Sequence, residues 1–446
     1  MPIKTVIFLI AFAAACGGAL YMPLIGILGY VLHYQVGPEQ QWWAESISHW
    51  GLRYSLAIAV FTGAGIFINR RRLRYGDRLL SGHEWLMILF VVLTWLSLLH
   101  GLPPAGPIVP SDYQPYKIAK VMVFCLMLTH VVTTQRELGM LFWAIVAGVA
   151  FLGVQAYTAP DWMFTTGRLN SIGGPDFREA NFLGAYIVIA LPIVGMQFMR
   201  SGWVGKAACA VSGALGVNAL VLARSRGAFV AVAATTVFAL LIAPKKNRAY
   251  VYLATAVAVV GAYSLTDEAF WERTSTITAT EDERDQSAQS RIDIWKASLD
   301  MLSDYPLGVG AGNFQDTIGK YLPKYPIADA HSTYVRCYGE LGIPGIILLA
   351  VLVGSAARIL WRTGKALEQL PPDRQRDLRL MRFGLSASLV ASVCGGLTMT
   401  LLWVEATWWL LAMPVCLWRA VANAKTEAVG DQPRPASLQT GAHHGT

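Results

Sequence analysis

Apolar runs of about 20 residues, the length that crosses a hydrocarbon core, recur along the whole chain and alternate with short polar segments. The pattern predicts twelve spans, at 5–33, 50–69, 83–100, 116–133, 139–158, 180–199, 205–222, 227–243, 249–265, 332–361, 384–402 and 405–421. They are expected to be helices, because lipid offers no partner for an unbonded backbone group. The first run is over-long and contains Gly17, Gly18 and Pro23, so it either tilts as one helix or breaks into two short pieces. "AAAC" at 13–16 resembles a lipoprotein cleavage site, but the apolar run continues well past Cys16, and an uncleaved signal-anchor helix is expected.

Composition agrees with this pattern. Of 446 residues, 54% are hydrophobic and 14% charged, where a soluble domain carries about 25% charged residues. The fold class is therefore an all-α polytopic membrane protein, and no nucleic-acid partner is expected. Six scattered cysteines without a C-x-x-C pair point to neither a disulfide framework nor a metal site.

The net charge of +8 says less than its placement. The basic segments 69–78, 200–206, 244–248 and 362–382 fall on one side when the spans are counted, and so do both termini. By the positive-inside bias that side is cytoplasmic. The other side holds short loops near 34–49, 101–115 and 159–179 and a long loop, 266–331. The chain thus divides into nine spans (1–265), the long outer loop, three further spans (332–424) and a disordered tail (425–446). In the long loop, "QSRIDIWKASLDML" places Ile292, Trp295, Leu299 and Leu302 at helical spacing, predicting an amphipathic helix at 290–303 on the outer membrane face or on the bundle. "DYPLGVGAGNF" (304–314) follows a helix rather than a strand, so its glycines read as a flexible turn in preference to a phosphate nest.

Two arginines, Arg224 and Arg226, interrupt the apolar stretch "ALVLARSRGAFVAVAA". A charge at bilayer depth costs at least about 2.5 kcal/mol. The span count places both instead in an outer turn between paired helices, with Gly227 allowing the backbone to turn. Snorkelling to lipid phosphates would account for them, but the positive-inside bias disfavours arginine on this face, which favours a bound anion. Other cations gather on the same side: Arg291 on the amphipathic helix, Lys117 and Lys120 at the start of the fourth span, and Arg178 beside Asn181 at the start of the sixth. His331 stands where the long loop re-enters the membrane. Cations around an imidazole are what a diphosphate leaving group and a general base require. The chain has no D-x-D motif to chelate a metal against a sugar diphosphate, so arginine is expected to neutralise the phosphate charge, without metal or other cofactor. Arg336 and Glu340, four apart, read as a neutralising pair in the bundle.

These motifs carry a resemblance. "ARSRGAF", "QSRIDIWKASLDMLSDYPLGVGAGNF" and "DAHSTYVRCYGELGIPG", in this order over 217–350, resemble the bacterial O-antigen ligase and polymerase family. They look especially like its exosortase-associated O-glycosylation ligase branch. The resemblance implies a GT-C-type glycosyltransferase of the bacterial inner membrane. Its donor would be a glycan on undecaprenyl diphosphate at the periplasmic face, and its acceptor a hydroxyl of lipid A core or another glycan or protein. It further implies that Arg226 and Arg291 hold the diphosphate and that His331 takes the acceptor proton, with inversion in a single displacement. Arg224 is a cation beyond the family pattern, and Lys120, Arg178 and Asn181 are candidates by location. Polymerase, lipid-linked glycan transporter and non-enzymatic scaffold remain alternatives; the absence of a visible repeat and of midplane charges disfavours a transporter.

Overall fold

The structure, a computed structural model, describes residues 2–71, 73, 79–104, 113–265 and 286–430. Helices dominate: α1 (Ile3–Tyr21), α2 (Pro23–Val36), short α3 (Glu45–Ser48), α4 (Tyr54–Ile68), α5 (Gly82–His100), α6 (Gln114–Val131), α7 (Gln135–Tyr157), α8 (Ala180–Arg200), α9 (Trp203–Ala223), α10 (Arg226–Ile242), α11 (Arg248–Leu265), α12 (Gln286–Asp304), α13 (Phe314–Ile318), α14 (Thr333–Leu367), α15 (Pro372–Gly396) and α16 (Glu405–Gly430). The sheet among the described residues is a two-stranded antiparallel hairpin, β1 (Phe164–Thr165) with β2 (Arg168–Leu169). This is an all-α polytopic membrane protein. Helices stand at all the expected spans, but among the described residues length and apolarity alone qualify seven of them to cross a membrane, or eight if α10 and α11, bent by 118°, count as one broken span. The fifteen-residue α4 is too short to qualify.

Local chemistry sets the helix limits. Ser81 with Glu84, and Thr134 with Glu137, form capping boxes that start α5 and α7. The acidic segment 266–285 and the chain after residue 430 lie outside the described residues, but α16 runs on to Gly430, past the expected start of a disordered tail at 425. The expected span 384–402 ends early, with α15 stopping at Gly396 and residues 397–404 non-helical.

The first apolar run is two helices. Met22 is extended (φ −136°), and Pro23 opens α2 at a position where its missing N–H costs nothing. α2 then folds back along α1, with Gly29 against Ala15 and Gly26 against Ala19. This antiparallel pairing corrects the expectation that both termini share a face. The Thr5 hydroxyl donates to the Trp43 carbonyl, and Phe8 stacks edge-on with Tyr54, so α1 begins where α2 ends and α4 starts. Its other end meets the far end of α4, where Asn69 Nδ2 donates to the Leu20 carbonyl at 2.8 Å. α16 finishes on that far face: Arg419 reaches the Thr129 carbonyl and Asn423 the Thr133 carbonyl. The basic loops lie there too, tied by the Arg200–Asp377 pair at 3.3 Å and by Lys206 over Tyr250.

α14 is one long element with a kink. Gly342 is left-handed (φ 65°), and Pro344 cannot donate to the helix. The carbonyls freed by the kink are taken by the glycine-rich segment: Val309 N–H donates to Gly339 O at 2.9 Å and Gly310 N–H to Glu340 O at 3.0 Å. Gly308, Gly310 and Gly312 are all left-handed (φ 88–94°), a conformation that glycine adopts without strain. The segment is not an open phosphate nest, because Val309 and Gly310 spend their N–H donors on the kink and Ala311 donates to Ser97 Oγ at 3.1 Å. α12 lies over this clamp. Its buried face is Ile294, Ala297 and Met301, packed with Val309, Phe314, Ile318 and Ala330, whereas Leu299, expected to be inward, is 56% exposed. The spacing gave the helix; the neighbour it packs on chose the stripe.

Candidate functional site

The face where Thr5 lies also carries the end of α9 and the starts of α8, α10, α14 and α16. Here the α9–α10 turn is made by Arg224 rather than by a glycine: its backbone is left-handed (φ 44°) and caps α9. Ser225 then caps α10, its Oγ accepting from Ala228 N–H at 3.4 Å. Arg226 is the first residue of α10. Gly227 has a different task from the expected one. A Cβ built there would lie 2.5 Å from Thr398 Oγ1, so the missing side chain admits residues 397–401 against the start of α10.

That non-helical segment joins the two sequence motifs. Thr333 Oγ1 donates to Met399 O and accepts from Leu401 N–H, both at 2.8 Å. Thr400 Oγ1 donates to Asp329 at 2.6 Å, and Arg291 Nη1 reaches Thr398 O at 3.4 Å. Ser225, Gly227, Arg291, Asp329 and Thr333 therefore converge on one strip of chain. His331 sits beside it in a left-handed conformation (φ 46°), uncommon for a residue with a side chain. Its N–H donates to Asp329 Oδ2 at 3.0 Å, and the imidazole, 37% exposed, has Nδ1 3.5 Å from the same oxygen.

Arg168, on β2, was not singled out from sequence. Its Nη2 donates to Asn181 Oδ1 at 2.6 Å and its Nε to Ala223 O at 3.2 Å, while Ser225 Oγ also donates to Asn181 Oδ1, at 2.9 Å. Asn181 thus fastens the hairpin to the arginine turn, and Arg224 lies against Gly167 of the same hairpin. Arg168 carries the same signal as Arg224, an arginine in an outer loop. Asp329 was also missed; its signal is an aspartate two residues before a histidine whose N–H it can accept.

The other candidates stand apart. Lys120 is exposed on α6, and no hydrogen bond or ion pair among the described residues draws it to the group. Arg178 is exposed beside the Gln40 turn. Lys117 is committed to Asp176, which also accepts from Tyr34 and from the Glu405 N–H, both at 2.9 Å. Arg336 and Glu340 are ion-paired as expected, and Trp403 donates to the free oxygen of Glu340 at 3.0 Å. Arg336 also reaches Asp329 at 2.6 Å, which links this buried pair to the histidine.

Electrostatics divides the titratable groups. Burial pushes the His331 imidazole below the usual histidine value; Asp329 pulls the other way, and Arg291, Arg168 and Arg336 add to the lowering. The 3.5 Å approach to Asp329 is therefore made by a neutral ring at pH 7, since burial and three guanidinium charges outweigh one carboxylate. Burial opposes ionisation of Asp329, but Arg336, His331 and the hydrogen bonds from Thr400 and the His331 N–H prevail, and its pKa falls below the usual value. Glu179 is raised by burial and by the Asp329 charge, against the pull of Arg168. The arrangement offers a neutral base and several guanidinium groups on one face, able to accept a proton and hold an anion.

Residues 211–350 match the family model of the O-antigen ligases. No curated protein matches the chain. The matched stretch holds Arg224, Arg226, Arg291 and His331 together with Asp329, and it supports a glycosyltransferase-type enzyme of the ligase or polymerase kind acting on lipid-linked glycan. Over this stretch, 140 of the 446 residues, the chain is similar to the O-antigen ligases.

Proposed function

We propose that the protein is an O-antigen ligase-like glycosyltransferase of the bacterial inner membrane, with a GT-C-type architecture. It transfers a glycan from undecaprenyl diphosphate to an acceptor hydroxyl at the periplasmic face. The observation that carries this reading is the junction at 397–401, which brings the arginine turn, Arg291 and His331 to one face.

The acceptor oxygen attacks the anomeric carbon of the first sugar. A C–O bond forms to the acceptor as the bond to the diphosphate oxygen breaks, and the anomeric centre inverts. His331 takes the acceptor proton; with Nδ1 turned to Asp329, Nε2 is left as the accepting atom. Undecaprenyl diphosphate leaves with its charge held by Arg226 and Arg291, and guanidinium groups suit a diphosphate by bidentate contact. Arg168 and Arg224 extend the cationic wall, and Asn181 orients Arg168. Asp329 is a positioning residue: braced by Arg336 and Thr400, it fixes the imidazole without meeting substrate. Lys120 and Arg178 lie outside this assignment.

A deletion strain tests the reading. Loss of a ligase leaves full-length polymer on undecaprenyl diphosphate and none on the final acceptor, the outcome expected by mass spectrometry of the glycoconjugates. Single repeat units on the acceptor would make the protein a polymerase. Glycan translocation without transfer in reconstituted vesicles would make it a transporter.

A further inference from the structure

On the face opposite His331, α5, α14 and α16 enclose a cavity of about 1290 Å³. His83 closes its floor by joining the three helices: Nδ1 meets Ser355 Oγ at 3.0 Å and Nε2 meets Leu411 O at 2.8 Å. His83 is the second residue of α5, so the cavity lies at the N-terminal end of that helix. Arg358 and Arg362 follow Ser355 by one and two turns of α14, line the cavity and are exposed.

These two charges are unbalanced. Like charges four residues apart on a helix repel, and among the described residues neither arginine has a hydrogen bond or ion pair. The other charges in the lining are engaged elsewhere. Arg419 binds Glu84 at 3.0 Å and the Thr129 carbonyl at 2.6 Å, and Glu427 lies 3.8 Å from Arg374. The remaining wall includes apolar side chains such as Leu86 and Trp418, the latter 41% exposed. A cationic mouth over an apolar wall matches an amphiphile with an anionic head, and basic pockets between membrane helices are a known device for anionic lipid headgroups.

We propose that this cavity binds the phosphate headgroup of an anionic glycerophospholipid, with Arg358 and Arg362 on the phosphate and Leu86 and Trp418 against an acyl chain. The site is separate from the glycan-transfer site and does not depend on its assignment.

Native mass spectrometry of the full chain, titrated with cardiolipin or with phosphatidylethanolamine of matched acyl chains, tests it. Saturable cardiolipin adducts are expected from the wild-type protein, with phosphatidylethanolamine weaker, and about tenfold or greater loss of cardiolipin affinity in R358Q/R362Q. Equal binding of the two lipids by the wild-type protein overturns the proposal whether or not the variant folds. So does unsaturable binding, which marks bulk lipid, or unchanged affinity in a folded variant. Competition by inorganic phosphate alone at the cardiolipin concentration would mark a free-anion site and overturn the lipid assignment.

Discussion

The Asp329 carboxylate accepts the His331 backbone N–H at 3.0 Å and the Arg336 Nη1–H at 2.6 Å and lies 3.5 Å from the imidazole Nδ1, so a buried arginine of α14 is linked through one side chain to the half-buried imidazole. The histidine's neutral state at pH 7 then follows from burial and from Arg291, Arg168 and Arg336, which together exceed the opposing pull of Asp329. Protonation removes the base, so transfer is lost on the acid side, at a pH below the usual histidine value of about 6.5. R168Q removes one lowering influence and shifts that limb to higher pH; D329N removes the raising influence and shifts it lower. A rate–pH profile of each variant reads the two directions, and identical limbs would separate His331 from the proton transfer.

Direct loss of the proposed chemical groups is larger. His331→Ala, Arg226→Ala and Arg291→Ala are each expected to lower transfer at least about 100-fold, the scale of a lost general base or charge-stabilising donor. Membrane abundance should stay near normal, because none of the three is fully buried. Near-wild-type transfer by the histidine variant at neutral pH would remove it as the base.

Transfer is expected to persist in chelator. The reading rests on guanidinium groups neutralising the diphosphate charge in place of an ion. Abolition by chelator with rescue by magnesium would overturn the arginine mechanism.

The α14 kink should resist substitution. Gly342 has a positive φ and packs on the backbone of Leu307, so Gly342→Ala meets both strain and collision. A loss of at least about 1–3 kcal/mol is expected from the strain alone, visible as a lowered midpoint in thermal unfolding of detergent-solubilised protein. An unchanged midpoint would mean that the clamp at 306–310 does not hold the kink.

Opposite faces for the two ends are directly testable. Lys4→Cys should react with an impermeant maleimide added outside spheroplasts, and Lys425→Cys only after permeabilisation; five of the six native cysteines are buried and Cys394 is half-buried. Alkaline phosphatase fused near residue 285 should be active and near 370 inactive. Equal labelling of both cysteines would break the α1–α2 hairpin.

Hydropathy alone determined the helical membrane class, because a lipid-spanning backbone has few other ways to satisfy its polar groups. It also located the helices, the Arg336–Glu340 pair, and the turn that carries Arg224 and Arg226, since each rests on spacing within one segment. Relations between distant segments were decided only by tertiary structure. The fold-back at Met22 moved Thr5 to the face of His331, because whether a long apolar run breaks depends on what Gly26 and Gly29 pack against. The buried stripe of α12 shifted to Ile294, Ala297 and Met301 for the same reason. Asp329, Arg168 and Thr400 became part of the site through contacts spanning 7 to 71 residues of sequence. An Asp, Arg or Thr in isolation carries no periodic signal, and only the packed chain shows which charge it meets.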